Sequence, residues 1–275
     1  MNYFDAVVLG VVEGLTEFLP VSSTGHLTIA EKMLGLKVDD PAITGYTAVI
    51  QMGAIGAVIV YFVRDILNII KAWTLGLVKP EYRGQLDHRM GWYIIVGSIP
   101  VGIVGLLAKD FIKGDLRTLW VVAFALIGWS AVMWFAERVA RQVRGERELT
   151  MKDAVVVGVT QVISLAPGVS RSGATISAGL LRGLDRTTAT KLSFFLSIPA
   201  LVAAGLFELK DALGGDIHAG EAIVGVVVAF VVAYASIAWL LRFVAHHPIT
   251  WFVPYRVALG VVLIALLATN TISAT

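Results

Sequence analysis

The chain has 275 residues, 57% hydrophobic and only 15% charged, with a formal net charge of +2 and no cysteine. A soluble chain carries about 25% charge, so this composition, with a mean hydropathy of +0.80, implies a polytopic protein solvated by lipid. The small net charge argues against nucleic acid as a partner, and the lack of cysteine excludes disulfides, thiol nucleophiles and thiolate metal sites.

The opening residues Met1-Asn2-Tyr3-Phe4-Asp5 hold no basic segment and no small-residue cleavage site, so no removable signal peptide is expected. The first apolar region, 3–36, is interrupted by Glu13, Glu17, Pro20 and Gly25, and reads as two short helices joined by a polar elbow. Such backbone cannot face lipid, so the elbow must be buried in protein or line a wet cavity. Stretches 43–63, 91–108 and 118–136 follow, each long enough to cross a core of about 30 Å. A second elbowed region, 154–184, contains Gln161, Pro167, Gly168, Arg171 and Gly173, and stretches 192–207, 221–241 and 251–268 complete the set. The expected fold is an all-α polytopic membrane protein, one integral domain over 1–275. It has about six full transmembrane helices and two re-entrant helix–loop–helix hairpins, 3–36 and 154–184, meeting near the midplane.

Charge orients the chain. Loops 64–90, 137–153, 182–191 and 242–250 hold fourteen lysines and arginines, against six on the other side (Lys32, Lys37, Lys109, Lys113, Arg117 and Lys210). Positively charged loops stay cytoplasmic, which puts both termini and the first elbow toward the extracytoplasmic side. Sliding the chain by 148 residues sets Gly10 and Glu13 on Gly158 and Gln161, Val21-Ser22 on Val169-Ser170, and Gly25 on Gly173. With three full spans in each half, residues 1–136 and 154–268 form an inverted-topology repeat. In that plan broken elements from both halves meet at one composite site.

The elbows carry the chemistry. Glu13 and Glu17 share a helix face at i,i+4. Two carboxylates so placed repel unless a cation or proton separates them, which suits a divalent metal with oxygen ligands or acid/base chemistry. Ser22, Ser23 and Thr24 follow Pro20 where a second helix begins, so their hydroxyls can cap it while the free N–H groups suit an anion. His26, three residues after Ser23, is within reach of its hydroxyl for proton exchange. In the second elbow, Gly168, Ser170, Arg171, Ser172, Gly173 and Thr175 make an anion cradle: glycines for close approach, hydroxyls that donate, and a guanidinium that grips phosphate. Arg171 has an alternative role as counter-ion of Glu13 or Glu17. Acids, a histidine, a hydroxyl and an arginine cradle together indicate phosphoryl chemistry on an anion at a membrane.

The segment Glu13-Gly14-Leu15-Thr16-Glu17-Phe18-Leu19-Pro20-Val21-Ser22-Ser23-Thr24-Gly25-His26 resembles the E-x-x-x-E and serine-threonine-histidine signature of the bacterial undecaprenyl pyrophosphate phosphatases, also called bacitracin-resistance proteins. Pro167 to Thr175 resembles their P-G-x-S-R-S-x-x-T signature. The resemblance covers nearly the whole chain. It implies hydrolysis of undecaprenyl pyrophosphate to undecaprenyl phosphate and inorganic phosphate, a divalent-cation requirement, and carrier recycling for wall polymers. It also implies a cytoplasmic (inner) membrane location, an active site toward the extracytoplasmic face, and bacitracin as a competitor for the substrate. On this reading Glu13 and Glu17 hold Mg2+ or Ca2+, with Glu17 also acting as base, Arg171 and Ser170 hold the pyrophosphate, Ser23 is the nucleophile and His26 shuttles the proton. Water or His26 as nucleophile are rival assignments. A lipid-phosphate flippase or ion-coupled transporter is the competing function, since inverted repeats with broken helices are a transporter plan.

Other positions are read more plainly. Gln51 is expected to bond between helices, Gly225, Ala229 and Ala233 to form a packing stripe or a homodimer face, and Arg256 to meet an acid or snorkel outward.

Overall fold

The computed structural model describes residues 1–38, 40–114, 116, 118–212 and 219–274, with the side chains at 41, 110, 113 and 207–212 lying outside that description. Of the charges counted above, Arg117 and the side chains of Lys113 and Lys210 fall outside it. Regular structure among the described residues is helical, apart from one bridge between Arg144 and Leu184.

The first half runs α1 Tyr3–Thr16, α2 Ser23–Met33, α3 Pro41–Tyr61, α4 Val63–Val78, α5 Leu86–Leu107, α6 Lys109–Lys113 and α7 Leu119–Val139. The second runs α8 Met151–Ile163, α9 Arg171–Leu181, α10 Arg186–Ala212, α11 Ala219–His246 and α12 Val253–Ala268. Six helices are long and apolar enough to cross a membrane, drawn from α3, α5, α7, α10, α11 and from Ile249–Ala268. The chain is thus an all-α polytopic membrane protein. The fourteen residues of α1 reach only about 21 Å, and the eleven of α2 about 16 Å.

Three element limits differ from the sequence reading. Residues 64–90, read as a loop, contain α4, because Ile69, Ala72 and Gly76 recur at helical spacing and are buried while Arg64, Asp65 and Lys71 stay outside. The fourth long helix starts at Arg186 rather than residue 192, and runs through Pro199 without ending. Proline is tolerated inside a membrane helix where neighbouring groups re-satisfy the freed backbone. The last span opens with a 3₁₀ turn, Ile249–Phe252, and Pro254 then sits in the first turn of α12, where its missing N–H costs nothing.

Helices α1 and α8 begin 148 residues apart, and so do α2 and α9. Each long partner starts with a capping box: Asn2 with Asp5, and Thr150 with Asp153. Packing follows the same register, with α1 against α11 and α8 against α5. At Gly10 an added Cβ would sit 2.8 Å from the Gly225 carbonyl, and at Gly14 it would sit 2.6 Å from that of Ala229. Small residues let these backbones touch. The stripe Gly225, Ala229 and Ala233 is therefore buried within the chain and offers no dimer face.

Candidate active site

Both elbows turn at a proline that ends the preceding helix: Pro20 after α1, Pro167 after α8. Each then reaches its second helix through a serine with left-handed backbone, Ser22 at φ 79° and Ser170 at φ 75°. Such a conformation costs a non-glycine residue about 1–3 kcal/mol and persists where its surroundings over-determine it. Here the surroundings are the other elbow. The Gly168 N–H donates to Ser22 Oγ at 3.1 Å, and Ser172 Oγ donates to the Leu19 carbonyl at 2.9 Å. Ser170 Oγ accepts from the Gly173 N–H at 3.2 Å and lies 3.2 Å from Ser172 Oγ. Gly168 adopts φ 96°, and a Cβ there would strike the Val122 carbonyl, so that position requires glycine.

The reactive groups converge where the elbows cross. Ser23 Oγ donates to Glu17 Oε2 at 2.6 Å, and Arg171 Nη2 reaches Glu17 Oε1 at 3.2 Å and the Glu17 carbonyl at 3.4 Å. One carboxylate thus holds the hydroxyl of the first elbow and the guanidinium of the second. The Arg171 guanidinium lies 5.7 Å over the Phe18 ring, which fixes its plane. Its Nε and Nη1 are buried without a hydrogen-bond partner. Two orphaned N–H directions on a held cation are a costly arrangement that an anionic ligand would complete. Glu13 is 1% exposed on the same helix face, within electrostatic reach of Arg171.

Several predicted residues are occupied differently. The Ser22 and Ser172 hydroxyls knit the elbows together, Ser170 Oγ caps its own helix, and Thr175 Oγ1 donates to the Arg171 carbonyl while lying 2.6 Å from Ser193 Oγ. Buried elbow backbone needs these partners. Because Ser22 lends its Oγ to Gly168, α2 has no side-chain cap, and its first N–H groups are left open beside the exposed Thr24. His26 meets other partners than Ser23: Nδ1 lies 2.7 Å from the Ser22 carbonyl and Nε2 lies 2.6 Å from the Tyr255 hydroxyl. A carbonyl only accepts, so Nδ1 carries the proton, and in the neutral ring Nε2 accepts from Tyr255. Ser23, first in α2, points back toward α1 as helical side chains do, and so finds Glu17.

Two contacts escaped the sequence. Tyr255 belongs to α12, over two hundred residues from His26, and only tertiary packing joins them. Arg256 neither meets an acid nor snorkels: it is 0% exposed and donates to the carbonyls of Pro20, Gly168, Val169 and Leu126 and to Ser130 Oγ, at 2.9 to 3.4 Å. A charged residue near a helix start was the available signal, but it named no partner. Gln51 makes no side-chain hydrogen bond among the described residues.

For a cation the donor set is hard oxygen. Among the described residues no group of three or more His, Asp or Glu gathers to hold a metal. Both Glu17 oxygens are engaged by Ser23 and Arg171. Glu13 fits a hard divalent ion when a substrate's phosphate oxygens supply the remaining ligands, the usual pattern for Mg2+.

A family model described as bacitracin resistance protein BacA matches residues 6–262. The chain is 57% identical over 275 residues to an undecaprenyl-diphosphatase of Acidothermus cellulolyticus, covering 100% of both chains. It is 57% identical over 268 residues to undecaprenyl-diphosphatase 1 of Streptomyces coelicolor, covering 97% of this chain and 96% of that one. It is 51% identical over 279 residues to an undecaprenyl-diphosphatase of Mycolicibacterium smegmatis, covering 100% of both.

Proposed function

The chain belongs to the bacitracin resistance protein family, and on that footing we propose how its site performs the family's reaction. The protein hydrolyses undecaprenyl pyrophosphate to undecaprenyl phosphate and inorganic phosphate, in a bacterial membrane and in the service of cell-wall synthesis. The observation that carries the site reading is the pairing at Glu17. A serine hydroxyl 2.6 Å from one carboxylate oxygen has a base in place, and the guanidinium on the other oxygen keeps two donors for phosphate.

In the first step Ser23 Oγ attacks the terminal phosphorus of the diphosphate. The Oγ–P bond forms, the bridging P–O bond breaks, the serine proton passes to Glu17, and undecaprenyl phosphate leaves. Glu17 passes that proton on to the departing undecaprenyl phosphate and is a carboxylate again. Water then attacks the phosphoserine, giving a proton to Glu17. The Oγ–P bond breaks as inorganic phosphate departs, and Glu17 returns the proton to Ser23 Oγ. Arg171 Nε and Nη1, with the open N–H groups at the start of α2, hold the oxygens on which charge grows. His26, held by Ser22 and Tyr255, relays a proton at the mouth rather than at Ser23. Glu13 would hold a divalent cation, Mg2+ or Ca2+, against substrate oxygens, and a bound ion supplies charge neutralisation there.

We read the two halves as an inverted repeat with each elbow the tip of a re-entrant hairpin. Support comes from the shared register of α1–α2 and α8–α9, their matched capping boxes, and the shortness of these helices beside the long ones. Loop charge supports a cytoplasmic (inner) membrane orientation with the site and both termini outside. Bacitracin, taken up by the same diphosphate, then competes for substrate. Transport without cleavage finds no support in the relatives, and a carrier has no need of a serine primed by a carboxylate.

Phosphate release from undecaprenyl pyrophosphate by detergent-purified chain, with and without EDTA, tests the reading. Metal-dependent release, lost in folded Arg171→Ala and Glu17→Ala, is expected. A folded wild type that releases none, across metals and prenyl lengths, overturns it.

A further inference from the structure

Arg256 is the largest fully buried side chain, and no ion pair to it exists among the described residues. Burying a guanidinium without a carboxylate is expensive unless its donors are met, and here they are met by neutral oxygens. Nη1 takes the Pro20 carbonyl at 2.9 Å, from the first elbow. Nη2 takes the Gly168 and Val169 carbonyls, from the second, at 3.0 and 3.1 Å. Nε is anchored by Ser130 Oγ of α7 at 3.1 Å. The Pro20 carbonyl lies three residues before Ser23, and those of Gly168 and Val169 lie three and two before Arg171. These are elbow carbonyls that lie between helices, which lipid cannot satisfy.

The planar fork matters as much as the charge. Peptide bonds in the described residues are trans, so each C=O points opposite to the N–H of its own plane. Gripping the Val169 carbonyl turns the Ser170 N–H away from Arg256, and that N–H has no hydrogen-bond partner among the described residues. We propose that Arg256 is the positioning residue of the site, holding the two elbows in the register that sets Ser23 against Arg171 and leaves the Ser170 N–H as a further donor to the substrate. It acts through the elbows and does not touch the reacting atoms. The proposal rests on the phosphatase reading above.

The test is steady-state phosphate release from undecaprenyl pyrophosphate by wild type, Arg256→Lys and Ser130→Ala, with thermal unfolding followed for each. An ammonium keeps the charge and loses the fork. Sub-ångström misplacement of reacting groups costs rate rather than binding, so kcat should fall about 100-fold in Arg256→Lys with KM within about threefold of wild type. Ser130→Ala removes one anchor without touching either elbow, and should lower kcat severalfold at unchanged KM. Folded Arg256→Lys with wild-type kcat and only a lowered Tm would make Arg256 a packing residue and overturn the proposal. Should Arg256→Lys fail to fold, unchanged kcat in Ser130→Ala overturns it equally. A folded wild type that releases no phosphate sinks the phosphatase reading, and this proposal with it.

Discussion

The two elbows share a plan and divide the labour. Each follows a short helix with a capping box, turns at a proline, and enters its second helix through a left-handed serine. In register, Ser23 of the first corresponds to Arg171 of the second, and Glu13 corresponds to Gln161. The second elbow closes on itself: Ser170 caps its own helix and presents a single guanidinium. The first stays open, since Ser22 is spent on Gly168 and the N-terminus of α2 is left without a side-chain cap. On the proposed reading, the self-closed elbow supplies charge through Arg171 and the open elbow supplies the nucleophile Ser23.

The largest expected effect comes from removing what each elbow contributes. Ser23→Ala and Arg171→Ala should each lower kcat/KM by about 10³-fold or more, measured by phosphate release, with the double variant no worse than either alone because they act as a unit. Additive losses would break the pairing. Next comes the contrast between the capping boxes. Asp153 is fully buried and bonded to Arg144 at 2.6 Å and Arg182 at 2.8 Å, whereas Asp5 serves Asn2. Asp153→Asn should destabilise by about 3 kcal/mol in denaturation assays, and Asp5→Asn by under about 1 kcal/mol. Equal losses would show that the second elbow is no more firmly footed than the first.

Smaller effects sharpen the same difference. Glycine relieves a left-handed serine, so Ser170→Gly should stay within about 1 kcal/mol of wild type, having lost only a cap. Ser22→Gly also strips the buried Gly168 N–H of its acceptor, and should be less stable than Ser170→Gly by about 1–2 kcal/mol. Smallest is Tyr255→Phe, which frees His26 Nε2 at the cost of one hydrogen bond. Activity should fall about fivefold with the fold unchanged, and an unaffected pH–rate profile would remove His26 from the reaction.

The motif residues were legible because their types are costly in lipid: two glutamates, a histidine and an arginine in apolar segments announce a site before any coordinates exist. Their division was less so. Ser22, Ser170, Ser172 and Thr175 looked alike as phosphate donors, and only the crossing of the elbows shows that their hydroxyls satisfy backbone and neighbouring hydroxyls. The helix α4 was hidden for a different reason. Its charges and its apolar face are interleaved at helical spacing, and a scan for long apolar runs passes over that pattern.

Hydrophobic runs and loop charge, both local quantities, determined by themselves that this chain is a helical membrane protein with two polar interruptions. The costly polar side chains in those interruptions are what marked them as the candidate site. Tertiary structure alone decided that Ser23 faces Glu17 rather than His26, that Tyr255 holds His26, and that Arg256 binds carbonyls from both elbows. Those pairings join residues far apart in the chain or choose between neighbours one turn apart. Periodicity reports which face a residue occupies, whereas the partner met across that face depends on how separate helices pack.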